Sequence, residues 1–148
     1  MLAIKHILVP TDFSEPSARA LAAAVELARA FDARLTLLHV WSVPNAGYAE
    51  ALAWPIEAME AAARRALDDA LASTSKSYAK TDATLREGIE WKQVLAVVDE
   101  LGIDLVVMGT HGRRGLPRLV LGSVAEKVVR LCPAPVLTVA APKEPEKK

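Results

Sequence analysis

The sequence predicts an α/β fold: a single domain built on a doubly wound, five-stranded parallel sheet with helices on both faces. Three observations carry this. Short apolar runs alternate with longer segments of helical period along the whole chain. The runs ILV at residues 7–9 and LVVM at 105–108 are apolar without alternation, as strands are when both faces of a sheet are covered. The connections between most of these segments are short, which favours right-handed β-α-β crossovers in one sheet.

The first strand is expected at residues 4–11, IKHILVPT, closing at Pro10. Ser14 is placed to cap the next helix, with Glu15 and Pro16 in its first turn. Leu21, Val25 and Ala28 recur at helical spacing beside Ala24, Leu27 and Phe31, and the helix is expected to end near Phe31. Residues 34–41, RLTLLHVW, read as the second strand. Residues 42–55 are bounded by prolines and read as an irregular segment holding Tyr48 and Trp54, either as packing or as part of a lid or partner surface. Ile56, Met59, Ala63, Ala66 and Ala70 share one face of a helix that runs to about Ser77. A weaker strand is expected over 82–89, then a helix from Trp91 to Leu101 with Val94, Val98 and Leu101 in register and Gly102 as its stop. Strand 103–108, helix 123–131 and strand 135–139 complete the order β-α-β-α-β-α-β-α-β. The domain is assigned to residues 1–141, and PKEPEKK at 142–148 reads as a flexible C-terminal tail.

Composition narrows the classes of function. At 148 residues, with 52% hydrophobic and 24% charged, the chain is long enough to bury a core unaided. Eighteen basic and eighteen acidic residues balance, so no nucleic acid or membrane is expected as partner. Cys132 stands alone, which excludes an internal disulfide and suits a reducing, cytoplasmic location. No leader is expected, because ILVP is too short for a signal-peptide core, and no run reaches the roughly 18 apolar residues of a membrane span.

The stretch Gly109–Ser123, GTHGRRGLPRLVLGS, concentrates four of the seven glycines, three arginines and a histidine after the fourth strand. It matches neither GxxxxGK[ST] nor GxGxxG. Glycine lets a ligand approach the main chain, and the N–H groups opening the helix at Gly122-Ser123 make an anion site. His111, Arg113, Arg114 and Arg118 bring charge that could reach phosphates. A purely structural account remains open at this point: Ser123 with Glu126 fits a capping box, Gly109 can simply end a strand, and Asp12 can serve the dipole of the first helix. Ligands of such sheets bind beyond the carboxyl ends of the strands, here Pro10-Thr11-Asp12, Val40 and Met108-Gly109.

HILVPTDFSEPSARAL, DLVVMGTHGRRGLPRLVLGSVAEKV and PAPVLTV together resemble a single-domain universal stress protein over nearly the whole chain, least in 42–80. The resemblance implies a Rossmann-like, adenine nucleotide alpha hydrolase-like fold. Its most specific part is G-x2-G-x9-G-[ST], which marks the family's ATP-binding members and is kept here as Gly109, Gly112, Gly122 and Ser123. By that resemblance Thr11 and Asp12 lie beside the ribose and phosphates. Val40 offers main-chain groups to the adenine edge, with Pro10 and Met108 as apolar walls. Gly109, His111, Gly112 and Arg113 wrap the phosphates, and Gly122, Ser123, Val124 and Ala125 give helix-start donors. Ala125 stands where other members carry a hydroxyl. The cofactor implied is ATP, with any Mg²⁺ held mainly by phosphate oxygens.

The resemblance also implies a homodimer through Pro135–Val139, and the function expected is a nucleotide-dependent switch in the stress response, in which ATP orders loop 110–121 for an unknown protein partner. No dedicated catalytic base or protein-built metal cage is evident, so efficient catalysis is not expected, although slow ATP hydrolysis or autophosphorylation occurs in the resembled family. A nucleotide-independent dimeric scaffold is the other alternative. His6 and His39 are expected to be packed or hydrogen-bonded within strands.

Overall fold

The structure, a computed structural model, describes residues 2–44, 53–111 and 121–140. Tyr48, most of the glycine loop and the tail 142–148 lie outside the described residues, as does the domain boundary at 141. Five strands and four helices alternate: β1 (His6–Pro10), α1 (Glu15–Phe31), β2 (Arg34–Trp41), α2 (Ile56–Ser77), β3 (Thr81–Glu87), α3 (Glu90–Leu101), β4 (Leu105–Gly109), α4 (Ser123–Leu131) and β5 (Val136–Val139). All strand pairs are parallel, in the order β3-β2-β1-β4-β5. Strand order therefore reverses between β1 and β4, the switch point at which such sheets form crevices.

Alternation along each strand divides the core in two. Ile7, Val9, Leu35, Leu37, Leu105 and Val107 meet α1 and α2 on one face. Leu8, Leu38, Val106 and Met108 meet α3 and α4 on the other, through Val94, Val97, Val98, Ala125 and Val128. On α1 the buried stripe is mostly alanine (Ala20, Ala24, Ala28), and Phe31 stands half exposed instead of packing. On α2 the anchor is Leu67, fully buried, whereas Ile56 is exposed.

Element ends follow local hydrogen bonding. Ser14 caps α1 and accepts from the Ser17 N–H, as expected. Asp32 ends that helix in the left-handed region at φ 53°, and Gly102 ends α3 at φ 62°. β3 stops at Glu87 rather than 89 because Gly88, at φ 138°, turns the chain and gives its N–H to the Trp41 carbonyl (3.0 Å). β4 begins two residues later than expected: the Asp104 carboxylate accepts from the N–H groups of Lys5 (2.8 Å) and His6 (3.0 Å), so a side chain occupies the start of the ladder.

Both strand histidines are hydrogen-bonded in place. The Thr36 hydroxyl donates to Asp82 (2.5 Å), so His6 Nε2 donates to Thr36 Oγ1 (2.7 Å). Burial, and then the Arg34 guanidinium, push the His6 imidazole below its ordinary value. Cys132 is half-buried at the end of α4.

Candidate functional site

The carboxyl ends of β1, β2 and β4 and the first turns of α3 and α4 enclose a cleft of about 520 Å³ at the switch point. The β1–α1 turn forms one wall. Pro10 leads into Thr11, whose N–H donates to the Leu38 carbonyl (2.8 Å) and extends the ladder by one residue. Asp12 Oδ1 accepts from the Ser14 N–H (2.9 Å) and the Ser17 hydroxyl (2.7 Å). Phe13 takes φ 63°, uncommon for a bulky residue. Its ring lies 4.4 Å from that of His39, whose Nδ1–H donates to the Thr11 carbonyl (2.8 Å). The Phe13–His39 ring contact and the His39–Thr11 bond brace this turn next to Asp12, which lines the cleft.

The opposite wall comes from β4 and α4. Gly109 packs against the first turn of α1: a Cβ there would lie 3.0 Å from Pro16 Cβ and 3.1 Å from its carbonyl carbon. Thr110 gives its N–H to Val139 (3.1 Å) and accepts on its carbonyl from the Gly122 N–H (2.7 Å), which ties the two ends of the glycine loop together. His111 is buried, with Nδ1 2.9 Å from the Thr110 hydroxyl. Gly122, not Ser123, is the N-cap of α4, and no side chain caps it. The Ser123–Glu126 capping box therefore does not form. Glu126 instead pairs with Arg130 (3.2 Å), and the exposed Ser123 opens the helix at the cleft. The first-turn N–H groups of α4 lack intrahelical acceptors and carry the positive end of the dipole.

Pro10, Asp12, Val40, Met108, Gly109 and His111 line this cleft together with Gly122, Ser123, Val124 and Ala125. Thr11 does not: it is buried, and its hydroxyl accepts from the Phe13 N–H (3.1 Å). Gly112 and Arg113 lie outside the described residues. Sequence reasoning missed Trp41, Ser42, Ser17, Glu90, His39 and Thr110, all of which line the cleft. The signal for the first two was the end of the second strand itself. Glu90 offered only its place at a helix start.

Glu90 is a second carboxylate in a cleft where the sequence offered one. Burial, and then the negative charge of Asp12, push its carboxyl above the ordinary carboxylate range. Ionising it therefore costs more in the folded chain than in the unfolded one. The folded state loses stability as pH rises from the ordinary glutamate value through Glu90's raised value. Glu90→Gln is expected to match the native chain in acid and to melt at a higher temperature at neutral pH, read by thermal melts at pH 4 and pH 7.5. A gap that is the same at both would contradict this.

Among the described residues no group of three or more His, Cys, Asp or Glu side chains is arranged to hold a metal. Asp12 Oδ1 is committed to the turn, so Asp12 and Glu90 do not form a cage, and a nucleotide-borne Mg²⁺ would depend on the phosphates for most of its ligands. Among the described residues no helix is long and apolar enough to cross a membrane.

The sequence model of the universal stress protein family matches residues 3–140. A universal stress protein of Methanocaldococcus jannaschii is 33% identical over 143 residues, covering 95% of this chain and 84% of that one. Among solved structures, the universal stress protein UspA from Lactobacillus plantarum superposes with a TM-score of 0.80 at 26% identity, over 91% of this chain and 97% of that one. A universal stress protein solved in complex with cAMP superposes with a TM-score of 0.64 at 27% identity, over 93% of this chain and 97% of that one.

Proposed function

The chain belongs to the universal stress protein family, and we propose that its cleft binds ATP and that the bound state is a switch in the stress response. One observation carries this reading. The ends of β1, β2 and β4 and the unpaired N–H groups opening α4 converge on one cleft at the switch point. Val40, Pro10 and Met108 give it an apolar side for a base, and Gly122-Ser123 with His111 give it a side for phosphates. The relative solved with cAMP is an adenine-nucleotide complex on the same fold. Gly112 completes the motif in sequence, and Arg113 follows it. In this reading the protein is a cytoplasmic homodimer whose nucleotide-bound surface is read by another protein, and Mg²⁺ enters with the nucleotide.

The test is mass spectrometry of small molecules released from freshly purified, heat-denatured protein, with calorimetric titration of the stripped chain. ATP or ADP should be recovered, and the stripped chain should bind ATP. Gly112→Val, which puts a branched side chain where the motif needs bare main chain, should reduce affinity by at least tenfold. Ser123→Ala should cost about 3–10-fold, the worth of one hydrogen bond. Phosphate release from bound ATP would add slow hydrolysis to the reading. No recovered nucleotide and no heat at millimolar ATP would leave the nucleotide-independent scaffold.

A further inference from the structure

Glu90 is a carboxylate in the cleft that the family resemblance does not account for. Its position is fixed by main-chain geometry: the left-handed turn at Gly88, bonded to the Trp41 carbonyl, sets the first residue of α3 against the end of β2. The side chain lines the same cleft as Val40, Trp41 and Ser42 on one side and Asp12 on another. Among the described residues nothing donates a hydrogen bond to its carboxylate and no cation pairs with it. The nearest lysine in sequence, Lys92, lies with Lys127 over the Trp91 ring, at 5.5 and 4.9 Å from its centroid. A carboxylate partly withdrawn from water without a donor is costly, and burial with the charge of Asp12 already disfavours its ionised form.

On the reading that the cleft takes a nucleotide, we propose that Glu90 is a specificity-determining residue, accepting a hydrogen bond from a donor on the nucleoside half of the ligand. Charge selects that half. Two carboxylates, Asp12 and Glu90, repel phosphates, while the positive start of α4 attracts them. What remains to face Glu90 is the uncharged part of the ligand, whose donors are the ribose hydroxyls and an exocyclic amino group. In dinucleotide-binding sheets of this kind an acidic side chain hydrogen-bonds a ribose hydroxyl.

The test is calorimetric titration of stripped wild type, Glu90→Ala and Glu90→Gln with four ligands. These are ATP, 2′-deoxyATP, 3′-deoxyATP and purine riboside triphosphate, which lacks the exocyclic amino group. In the wild type, the analogue missing the donor read by Glu90 should bind about tenfold or more weaker than ATP, the worth of a hydrogen bond to a charged group. That ratio should collapse toward one in Glu90→Ala and survive in part in Glu90→Gln, which keeps an acceptor. Loss of a ribose hydroxyl against loss of the amino group identifies which donor it is. Identical ratios in wild type and Glu90→Ala overturn the inference and leave ATP binding standing. No ATP binding by the wild type overturns both. Thermal melts of the variants confirm that the chains titrated are folded.

Discussion

Gly109→Val should lower the free energy of unfolding by about 1–3 kcal/mol, the cost of forcing extra methyl groups into a well-packed contact. The obstacle is the Pro16 main chain together with its ring-locked Cβ, not a side chain that can swing away. The new Cβ would meet Pro16 Cβ at 3.0 Å, its carbonyl carbon at 3.1 Å and its oxygen at 3.2 Å, and valine adds two methyls beyond that. Neither partner can yield alone. Pro16 sits in the first turn of α1, which the Ser14 cap and the Asp12–Ser17 bond hold to β1. Gly109 is paired with Val139 in the sheet, and Thr110 follows with its own bond to β5. Relief must come from moving the start of α1 away from the end of β4, the two edges that frame the cleft. Urea unfolding should therefore show a lower midpoint at unchanged m, with weaker ATP binding in the same variant. Gly109→Ala, with only the Cβ, should lie between. A midpoint equal to the wild type in Gly109→Val would mean that the α1 start gives way freely and that Gly109 has no packing role.

This separates two reasons for glycine that the motif alone runs together. Gly109 has a packing reason in the close approach of α1 that is independent of any ligand, and this was not legible because Pro16 is distant in sequence. What was legible had a local cause. β1 and β4 read as strands because both faces are covered and every core position is apolar, and the Ser14 cap and Gly102 stop are single-residue signals. β3 was shifted because it lies at the sheet edge and is half-buried along its length, which leaves no clear alternation to set its register. The capping box at Ser123 looked sound as a tetrapeptide. It fails because Gly122, tied through its N–H to Thr110, already holds the cap position. Pro10, Val40, Met108 and Gly109 line the cleft because they sit at the carboxyl ends of strands, whereas Trp41 and Ser42 share that place at β2 and carried no motif to mark them. The Thr11 hydroxyl turns back to its own loop, where it accepts from the Phe13 N–H. Glu90 was missed because its place depends on a left-handed glycine bonded across to another strand.

Leu137→Lys should convert a dimer of this chain into a monomer. β5 is one edge of the sheet, paired with β4 on one side. Among the described residues no strand pairs with its other side, whose main-chain donors and acceptors can take a further strand. The opposite edge, β3, carries Asp82 and Arg86 in ion pairs with Arg34 and Glu100, charges that discourage a second strand. β5 lacks such protection among its four residues, Val-Leu-Thr-Val, and Leu137 is 41% exposed. α4 packs beside β5, and two of its apolar side chains, Val129 and Leu131, are nearly half exposed. An apolar edge of this kind is satisfied by its own copy, because a two-fold axis sets the strand antiparallel to itself and buries the same patch from both chains. Light scattering across a concentration series should give twice the chain mass for the wild type and one chain mass for Leu137→Lys, in which each copy would place an ammonium group in that seam. ATP affinity should be retained in the monomer, since β5 contributes nothing to the cleft lining. A wild type that remains monomeric at hundreds of micromolar would end the dimer proposal and leave the β5 edge for the protein partner. A monomeric variant that no longer binds ATP would mean instead that pairing at β5 supports the cleft through β4, by way of the Thr110–Val139 bond.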